Sequence, residues 1–290
     1  DFFGEKIPFG RAIISAVNFE EFAFSAEICE DLWVPSSPSE TLAENGATVF
    51  FNLSAGNEFA EKRRFRKDLV AMQSAKLLCV YAYASAGKGE STTDMVFSGH
   101  SLIAENGVLL AENRLFSMDA PQSEIDLLRL AHDRMRMNTF AMQGEGYARV
   151  SFRATEREHF ALTRPIAQTP FVPQAGAARA ERCEAILTMQ AEGLARRIAH
   201  THAKTAVIGI SGGLDSCLAL LVAVRAMDRL NRSRGDILAV TMPCFGTTKR
   251  TRGNAEILCE QLGVSFRCVD ITAAVRQHFC DIGHSEEQLD

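Results

Sequence analysis

Six consecutive residues at positions 211–216 (SGGLDS) have the composition of a phosphate-binding turn. Paired glycines let the backbone bend and approach an anion closely, because they carry no Cβ atom. Free N–H groups at the start of a helix, together with the positive end of the helix dipole, favour a bound phosphate. The sequence therefore predicts a site for a phosphorylated ligand. A glycine-rich turn in which Ser and Asp cap a helix is the simpler alternative.

The segments on either side of this turn indicate how it is positioned. Residues 205–210 (TAVIGI) are rich in β-branched side chains, and residues 217–230 are apolar on nearly every side. This pattern is typical of a buried parallel strand followed by a helix that packs on a sheet. The turn is neither a Walker loop, because no Gly-Lys-Ser/Thr follows, nor a G-x-G-x-x-G dinucleotide turn.

A second candidate for chemistry is Cys29, which closes an apolar strand at residues 22–28 and precedes two acidic residues. A cysteine acts as a nucleophile through its thiolate, so it needs a base or a cation beside it. Considered alone, Cys29 is more simply a buried structural cysteine, because free cysteine is among the most buried residue types.

The composition is that of a globular chain with room for two domains, since the 290 residues are 47% hydrophobic and 23% charged. The net charge of −5 and the isoelectric point near 5.9 give no electrostatic reason to bind nucleic acid or an anionic membrane. Eight cysteines without C-x-x-C spacing favour reduced thiols and a cytoplasmic location over a disulfide framework. No signal peptide or membrane span is expected.

The histidines add no metal site to these expectations. Four of them show no metal-ligand spacing, and we expect structural roles for them: His100, His132, His200 and His278.

Alternating strand and helix patterns predict an α/β fold for a first domain at residues 1–161. Strand-like runs occupy residues 11–17, 22–28, 47–53, 78–86 and 147–153. A tight turn at Asn106-Gly107 predicts a hairpin between residues 95–104 and 108–115.

Helices are expected between these strands, including one at residues 126–132. A short helix at residues 39–45 is predicted to be capped by Ser39. A charged helix at residues 61–77 is predicted to bury one apolar face, formed by Phe65, Leu69 and Met72.

A linker is predicted at residues 162–178, which contain three of the eight prolines and show no sustained periodicity. The second domain, residues 179–290, begins with a helical pattern and continues in the order β-α-β-α-β. This order favours a doubly wound parallel sheet with a nucleotide at the carboxyl ends of its strands.

Both halves also resemble known families. The turn at 211–216 resembles the SGGxDS pyrophosphate loop of ATP-pyrophosphatases, which attach AMP to a substrate and release pyrophosphate. The first domain resembles the later half of a nitrilase-type glutaminase. Four stretches carry this resemblance: 28–33 (ICEDLW), 52–55 (NLSA), 81–87 (YAYASAG) and 89–94 (GESTTD). In the glutamine-dependent NAD⁺ synthetase family, a segment similar to residues 241–249 and 254–256 follows the second strand of the synthetase domain. The pair of domains is similar to the glutamine-dependent NAD⁺ synthetase family over residues 28–263.

The resemblance implies a fold and a reaction. The fold is part of a nitrilase-like α-β-β-α sandwich, followed by part of a domain like the adenine nucleotide alpha hydrolases. The reaction is the amidation of nicotinic acid adenine dinucleotide (deamido-NAD) with ATP and Mg²⁺, and ammonia comes from L-glutamine through a thioester on Cys29. A homo-oligomeric parent protein is also implied.

The resemblance assigns roles to single residues. The glutamine site would contain Glu30, Trp33, Ser54 and Lys62, although a capped turn and a solvated helix face explain Ser54 and Lys62 equally well. The ATP site would contain Ser211, Gly212, Gly213, Leu214, Asp215, Ser216 and Met242. Asp215 would also hold Mg²⁺, and a core methionine is an equal alternative for Met242. Gly56 departs from the family, which often has Ser at this position.

The catalytic Glu and Lys of that family lie upstream of its cysteine motif, and four nearby residues are too close to Cys29 to replace them: Lys6, Glu20, Glu21 and Glu27. We therefore expect the sequence to be an internal fragment, inactive alone, of a longer parent. Other ATP-pyrophosphatase amidotransferases or ligases remain alternatives, and the Cys29 half counts against them. A catalytically incomplete nucleotide-binding module is the alternative from a different class.

Overall fold

The computed structural model describes residues 3–6, 10–140, 146–155, 161–172, 176–245 and 249–285. The chain forms two compact units, Asp1–Ile166 and Ala167–Asp290. The division between them falls within residues 162–178, the segment marked by its prolines. Each unit has a hydrophobic core of its own.

The first unit is built on a seven-stranded mixed sheet. Its strands are β1 Ala12–Ala16, β2 Ala23–Ile28, β3 Val49–Ser54, β4 Val80–Ser85, β5 Leu102–Glu105, β6 Val108–Glu112 and β7 Ala148–Phe152. They lie in the order β6-β5-β4-β3-β2-β1-β7. Strands β2, β3 and β4 run parallel, whereas β5 and β6 form an antiparallel hairpin beside β4. The carboxyl ends of β2, β3 and β4 therefore meet at one edge of the sheet.

Three α-helices accompany this sheet: α1 Pro38–Glu44, α2 Lys62–Lys76 and α3 Leu127–Arg136. The residue that caps α1 is Ser37, not Ser39 as the sequence predicts. Pro38 takes the first helical position, where a missing N–H costs little and the fixed φ favours a helix start. Ser39 lies inside the helix, and its backbone N–H donates to Glu27 Oε2 at 2.9 Å.

The buried face of α2 differs from the prediction. Leu69 packs against the core as predicted, but Phe65 and Met72 are 55% and 67% exposed. The buried residues of the helix are Lys62, Arg66, Val70, Gln73 and Ser74. A polar face can be buried when its groups find hydrogen-bond partners, because the partners replace the water that is lost. Gln73 donates to Ser37 Oγ at 2.7 Å, and Arg66 is paired with Glu58. Hydrophobic periodicity therefore identifies the helix but not its buried face.

The hairpin turn is confirmed. Asn106 and Gly107 have φ values of 43° and 83°, the left-handed backbone that a two-residue turn requires. Gly107 also packs closely on α2, since a Cβ atom there would lie 3.1 Å from the Ala75 Cβ.

The second unit contains a three-stranded parallel sheet in the order β10-β9-β8. Its elements alternate as α4 Ala177–Thr201, β8 Ala206–Gly209, α5 Leu214–Arg229, β9 Ile237–Thr241, α6 Lys249–Leu262, β10 Ser265–Cys268 and α7 Thr272–Ile282. Leu220, Met227 and Ile237 are fully buried in its core. The predicted α/β class is thus confirmed in both units. None of the helices in the described part of the chain combines the length and hydropathy that a membrane span requires.

Candidate functional site

Cys29 lies directly after β2, at the edge where three parallel strands end. It begins a short 3₁₀ helix, Cys29–Leu32, and has a φ of 46°. This left-handed backbone is unusual for a residue with a side chain and costs on the order of 1–3 kcal/mol, so neighbouring groups must maintain it. Asn52 provides one such contact, because its Nδ2 donates to the Cys29 carbonyl at 3.3 Å. Cys29 as a whole is half-buried.

Two hydroxyl groups form a chain of hydrogen bonds that ends at the sulfur of Cys29. Ser54, the last residue of β3, donates from Oγ to Cys29 Sγ at 3.4 Å. Tyr83 of β4 donates from its hydroxyl to Ser54 Oγ at 2.6 Å. Tyr83 pairs with Asn52, two residues before Ser54, so the two hydroxyls come from the same face of neighbouring parallel strands.

Lys62 supplies a positive charge near this edge. Its Nζ donates to the Asn57 carbonyl, lies 3.3 Å from Asn57 Oδ1, and sits 4.9 Å from the centre of the Phe59 ring. The ring of Trp33 lies 5.8 Å from the same ammonium. Burial, and next the charge of Arg66, lower the pKa of Lys62. The start of α2 therefore holds a largely buried cation beside aromatic rings.

Gly56 lies close to both Lys62 and Ser54. A Cβ atom on Gly56 would lie 3.3 Å from Lys62 Nζ and 3.9 Å from Ser54 Oγ. The lysine ammonium and the serine hydroxyl therefore border the same small space. A side chain at this position would crowd the Lys62 ammonium.

The sequence-predicted glutamine residues are only partly brought together. Trp33 stacks on Phe65 with ring centres 5.3 Å apart, and it lies near Lys62. Glu30 is exposed, and within the described residues no hydrogen bond joins its side chain to Ser54 or Lys62. Glu27 is buried and accepts a hydrogen bond from the Tyr81 hydroxyl, so it has a partner inside the sheet.

A buried ionic network lies behind the site, and the sequence patterns gave no sign of it. Arg66 is fully buried and donates through NH2 to Glu58 Oε2 at 2.7 Å and through Nε to His100 Nδ1 at 2.9 Å. Ser98 also donates to Glu58, and His100 Nε2 lies 3.4 Å from Glu112 Oε2. Because Nδ1 accepts from Arg66, the His100 proton is assigned to Nε2. Burying a charged pair is stabilising only when further hydrogen bonds complete it. The bonds from Ser98 and to His100 do so in part, since Arg66 Nη1 is buried with no hydrogen-bond partner among the described residues.

Protonation equilibria in the network follow from these contacts. Burial, and next the charge of Arg66, lower the pKa of His100, which favours the neutral ring. Burial opposes ionisation of Glu58, yet the hydrogen bonds from Ser98 and Arg66 outweigh it and lower its pKa. The pKa of Glu112 is also lowered, because bonds from Lys67 and His100 outweigh its burial.

The predicted phosphate loop lies where parallel β8 ends and α5 begins. Gly212 has a φ of 80°, which favours glycine, and Gly213 caps the helix. Ser216 Oγ lies 3.2 Å from Ser211 Oγ and donates to the Gly213 carbonyl at 3.1 Å. The Gly213 N–H donates to Ser211 Oγ at 3.3 Å. The two serines therefore hold the turn in shape at the start of a 16-residue helix.

Asp215 and Met242 flank this loop. Asp215 lies in the first turn of α5, is exposed, and has no hydrogen-bond or ion-pair partner within the described residues. One free carboxylate beside bound phosphates suits Mg²⁺, which is usually held by one or two carboxylates together with substrate oxygens. No cluster of three or more metal-ligating side chains occurs in the part of the chain that is described. Met242 Cε would lie 3.8 Å from a Cβ atom on Gly209, so the methionine borders the end of β8.

Leu214 adds no side-chain contact to the loop, because it is 91% exposed. Part of the second synthetase motif, residues 246–248, lies outside the described residues. Asn52 and Tyr83 fall inside motifs recognised in the sequence, yet their roles at Cys29 emerge only from the strand register. Arg66, Glu58 and His100 carry no motif that could have identified them.

Both units of the chain are similar to known proteins. Residues 186–290 match the NAD synthase family model. A glutamine-dependent NAD(+) synthetase from Mycobacterium leprae is 39% identical over 290 residues, which cover 96% of this chain and 43% of that protein. One from Aquifex aeolicus is 27% identical and is matched over 91% of this chain and 44% of its own. A solved glutamine-dependent NAD+ synthetase from Acinetobacter baumannii aligns with 98% of this chain and 45% of its own, at 17% identity and a TM-score of 0.36.

These matches extend through both units of the chain. The chain spans less than half the length of the curated relatives that it matches. Within that span, it is a homologue of glutamine-dependent NAD⁺ synthetases along nearly its whole length.

Proposed function

We propose that this homologue of the glutamine-dependent NAD⁺ synthetases contributes the thiol and the ATP-binding loop of such an enzyme. The enzyme is a carbon–nitrogen ligase that amidates deamido-NAD to NAD⁺ with ATP and L-glutamine. One observation carries the proposal: a chain 39% identical over 290 residues to a curated synthetase contains both a half-buried Cys29 and the loop at 211–216.

The first half-reaction takes place at Cys29. Its sulfur attacks the side-chain amide carbon of glutamine, a C–S bond forms, and the C–N bond breaks. The thiol proton leaves with the nitrogen, so ammonia is released and a glutamyl thioester remains. Water then hydrolyses the thioester to glutamate and restores the thiol. The half-buried position of Cys29 leaves space for the substrate to reach it.

Glutamine is held beside the thiol by the groups around Lys62. The ammonium of Lys62 is suited to the α-carboxylate of glutamine, because buried opposite charges attract strongly. Trp33 and Phe59 provide aromatic surface for the aliphatic part of the substrate. Glu30 and Ser54 are carried over as contacts by the family resemblance alone.

The second half-reaction takes place at the phosphate loop. The nicotinate carboxylate of deamido-NAD attacks the α-phosphorus of ATP, which forms an acyl adenylate and releases pyrophosphate. Ammonia then displaces AMP and loses one proton. The amides and hydroxyls of Ser211, Gly213 and Ser216 are suited to hold the pyrophosphate as its charge grows, when the bonds within the turn are exchanged for bonds to phosphate oxygens. Asp215 would hold Mg²⁺, which supplies charge neutralisation on the phosphates when bound. Met242 borders the adenine.

The remaining proposals concern the protein as a whole. We retain the domains 1–161, nitrilase-like, and 179–290, ATP-binding, joined by a linker at 162–178. The substrates are small molecules, and neither nucleic acid nor a membrane takes part. A cytoplasmic location is supported by the thiol state of residues such as Cys79 and Cys259. Homo-oligomerisation of the parent remains a proposal from the resemblance.

A mass-spectrometric product assay tests the function. The full-length parent is incubated with ATP, glutamine labelled with ¹⁵N at the side-chain amide, and a set of candidate acids that includes deamido-NAD. We expect labelled NAD⁺, glutamate, AMP and pyrophosphate in equal amounts. Formation of ADP in place of AMP, or amidation of a different acid, would contradict the proposal and favour another ligase.

A further inference from the structure

We propose that Ser54 and Tyr83 form a one-directional hydrogen-bond relay that orients Cys29 Sγ and stabilises the sulfur as it becomes negatively charged. In this relay Ser54 contacts the reacting atom, and Tyr83 is a positioning residue that acts through Ser54. The inference rests on the proposed thiol chemistry of Cys29. It assigns Ser54 a different role from the glutamine contact that the family resemblance implies.

The direction of the relay follows from counting hydrogens. A tyrosine hydroxyl and a serine hydroxyl each have one hydrogen to donate. Tyr83 is only 1% exposed, and within the described residues the acceptor of its hydroxyl is Ser54 Oγ at 2.6 Å. The reverse direction would leave the Tyr83 hydrogen buried without a partner, which is costly. The single hydrogen of Ser54 is therefore directed at Cys29 Sγ, 3.4 Å away.

The donor state of Tyr83 does not change near neutral pH. Burial raises the pKa of Tyr83, and its hydrogen bond to Ser54 only partly opposes this effect. Its ring also lies 5.9 Å from the guanidinium of Arg66, which Glu58 and His100 hold in place. The first donor of the relay is therefore a neutral phenol in a fixed setting.

The bond from Ser54 becomes stronger as the sulfur gains charge. Hydrogen bonds to ionised acceptors are shorter and about twice as strong as bonds between neutral groups. A donor that is already aligned requires no reorganisation when the thiol loses its proton. Since the left-handed backbone of Cys29 is held separately by Asn52, Ser54 is free to act on the sulfur alone.

The relay also limits what else Ser54 can do. Its hydrogen is committed to the sulfur and one of its lone pairs to Tyr83, so Ser54 can offer glutamine only one remaining acceptor site. An acceptor cannot bind the α-carboxylate of the substrate. A cation is the better partner for that group, and Lys62 Nζ borders the same space.

Alkylation of Cys29 tests the relay without any substrate. The 290-residue chain and its variants are treated with iodoacetamide at neutral pH, and modification of Cys29 is followed by mass spectrometry. The exposed Cys183 of α4 serves as an internal reference for reagent reactivity. We expect Ser54→Ala to lower the rate at Cys29, relative to Cys183, by about tenfold, because a charge-assisted hydrogen bond is lost. Ser54→Thr, which keeps the hydroxyl, should restore the rate to within about twofold of the unmodified chain.

A matched tyrosine pair separates the relay from general packing. Tyr83→Phe should slow the alkylation of Cys29 severalfold. Tyr147 is the matched control, because its hydroxyl also lies 2.6 Å from a side-chain oxygen, that of Thr41. This contact is away from the thiol, so Tyr147→Phe should leave the alkylation rate of Cys29 unchanged. If Tyr83→Phe fails to fold by circular dichroism, the comparison of Ser54→Ala with Ser54→Thr decides the question.

Steady-state kinetics of glutamine hydrolysis in the full-length parent distinguish the two roles of Ser54. The relay predicts that Ser54→Ala lowers kcat about tenfold with little change in KM. A raised KM at unchanged kcat would identify Ser54 as a glutamine contact and overturn the inference. Equal alkylation rates in Ser54→Ala and the unmodified chain would overturn it as well. Because alkylation requires neither glutamine nor ATP, a failure of the proposed function would be seen in the product assay alone.

Discussion

The two candidate sites are built in opposite ways. The thiol site is made of side chains that are mostly buried and bonded to one another, including Ser54, Tyr83 and the Arg66 network. The phosphate loop is made mainly of backbone, and Ser211, Gly213 and Asp215 are exposed. Both lie at carboxyl ends of parallel strands, so topology does not explain the difference.

The chemistry of each site explains this difference. A thiol reacts only when its neighbours orient it and balance its charge, so its surroundings must exist before the substrate arrives. A phosphate brings its own charge and oxygens, so a loop with free N–H groups and a helix start is sufficient to bind it. Substitutions should therefore act through preorganisation and stability in the first unit and through ligand binding in the second.

The largest expected effect separates the two sites completely. Cys29→Ala in the full-length parent should abolish synthesis driven by glutamine, because no other group can form the thioester. It should spare synthesis driven by added ammonium, because the phosphate loop is unchanged. Product formation with each nitrogen donor, followed by mass spectrometry, measures both effects.

Cys183→Ala is a suitable control, because Cys183 is an exposed thiol outside both sites. It should leave both activities unchanged. An equal loss with both nitrogen donors in Cys29→Ala would end the proposed division of labour.

Asp215→Asn should affect the second site alone. We expect a loss on the order of a hundredfold in synthesis with either donor, because the charge of the metal ligand is removed. Glutamine hydrolysis should be at least partly retained. Asp228→Asn, on the same helix but in an exposed pair with Arg234, should have little effect.

The dependence on magnesium provides a readout besides activity. Proteolysis of the loop is measured in the presence of ATP at increasing concentrations of Mg²⁺. The concentration that gives half-maximal protection should be higher for Asp215→Asn than for the unmodified protein. An unchanged magnesium requirement would remove Asp215 from the metal site.

The contrast between the sites also explains which parts of the molecule the sequence could predict. The phosphate loop is contiguous, so its strand, turn and helix could be read from residues 205–230. The hairpin at Asn106-Gly107 was equally local. The network around Arg66 joins residues that are 8, 32 and 34 positions away, Glu58, Ser98 and His100, and local patterns do not report such partners. The predicted apolar face of α2 is wrong for Phe65 and Met72 and right for Leu69, since a buried arginine cannot be anticipated without its carboxylate.

Removal of Arg66 should have the next largest effect, on stability. Arg66→Met leaves Glu58 buried without its cation, and breaking a buried pair in this way costs about 3–5 kcal/mol. Arg64→Met on the exposed face of the same helix loses a pair that is largely in water, which is worth about 0–1 kcal/mol. Urea unfolding followed by Trp33 fluorescence measures the difference, because Trp33 is the one tryptophan of the chain and lies in the first unit. Equal midpoints for the two variants would show that the network does not stabilise this unit.

The smallest expected effect is a difference in acid sensitivity between the units. Burial and Arg66 lower the pKa of His100 in the folded chain. As the pH falls below about 6.5, His100 therefore takes up a proton more readily in the unfolded chain, which favours unfolding. The hydrogen bonds that lower the pKa of Glu58 and Glu112 contribute stability that is complete above about pH 4.5 and is lost below it. All three groups therefore destabilise the first unit as the pH falls. In the second unit, bonds from Arg225 and Arg234 lower the pKa of Glu184 and Asp228, but these pairs are exposed and screened by water.

Thermal unfolding between about pH 7 and about pH 3 can resolve this difference. Trp33 fluorescence reports the first unit, and circular dichroism reports the helices of both units. We expect the fluorescence midpoint to fall more steeply with acid than the later part of the circular dichroism transition. Glu112→Gln should reduce the steepness of the fluorescence profile, because one of the groups that bind protons on unfolding is gone, whereas Glu184→Gln should leave it unchanged. If Glu112→Gln and Glu184→Gln changed the fluorescence profile equally, the buried network would not control the acid sensitivity of the thiol site. The preorganisation of the thiol site would then depend on packing alone.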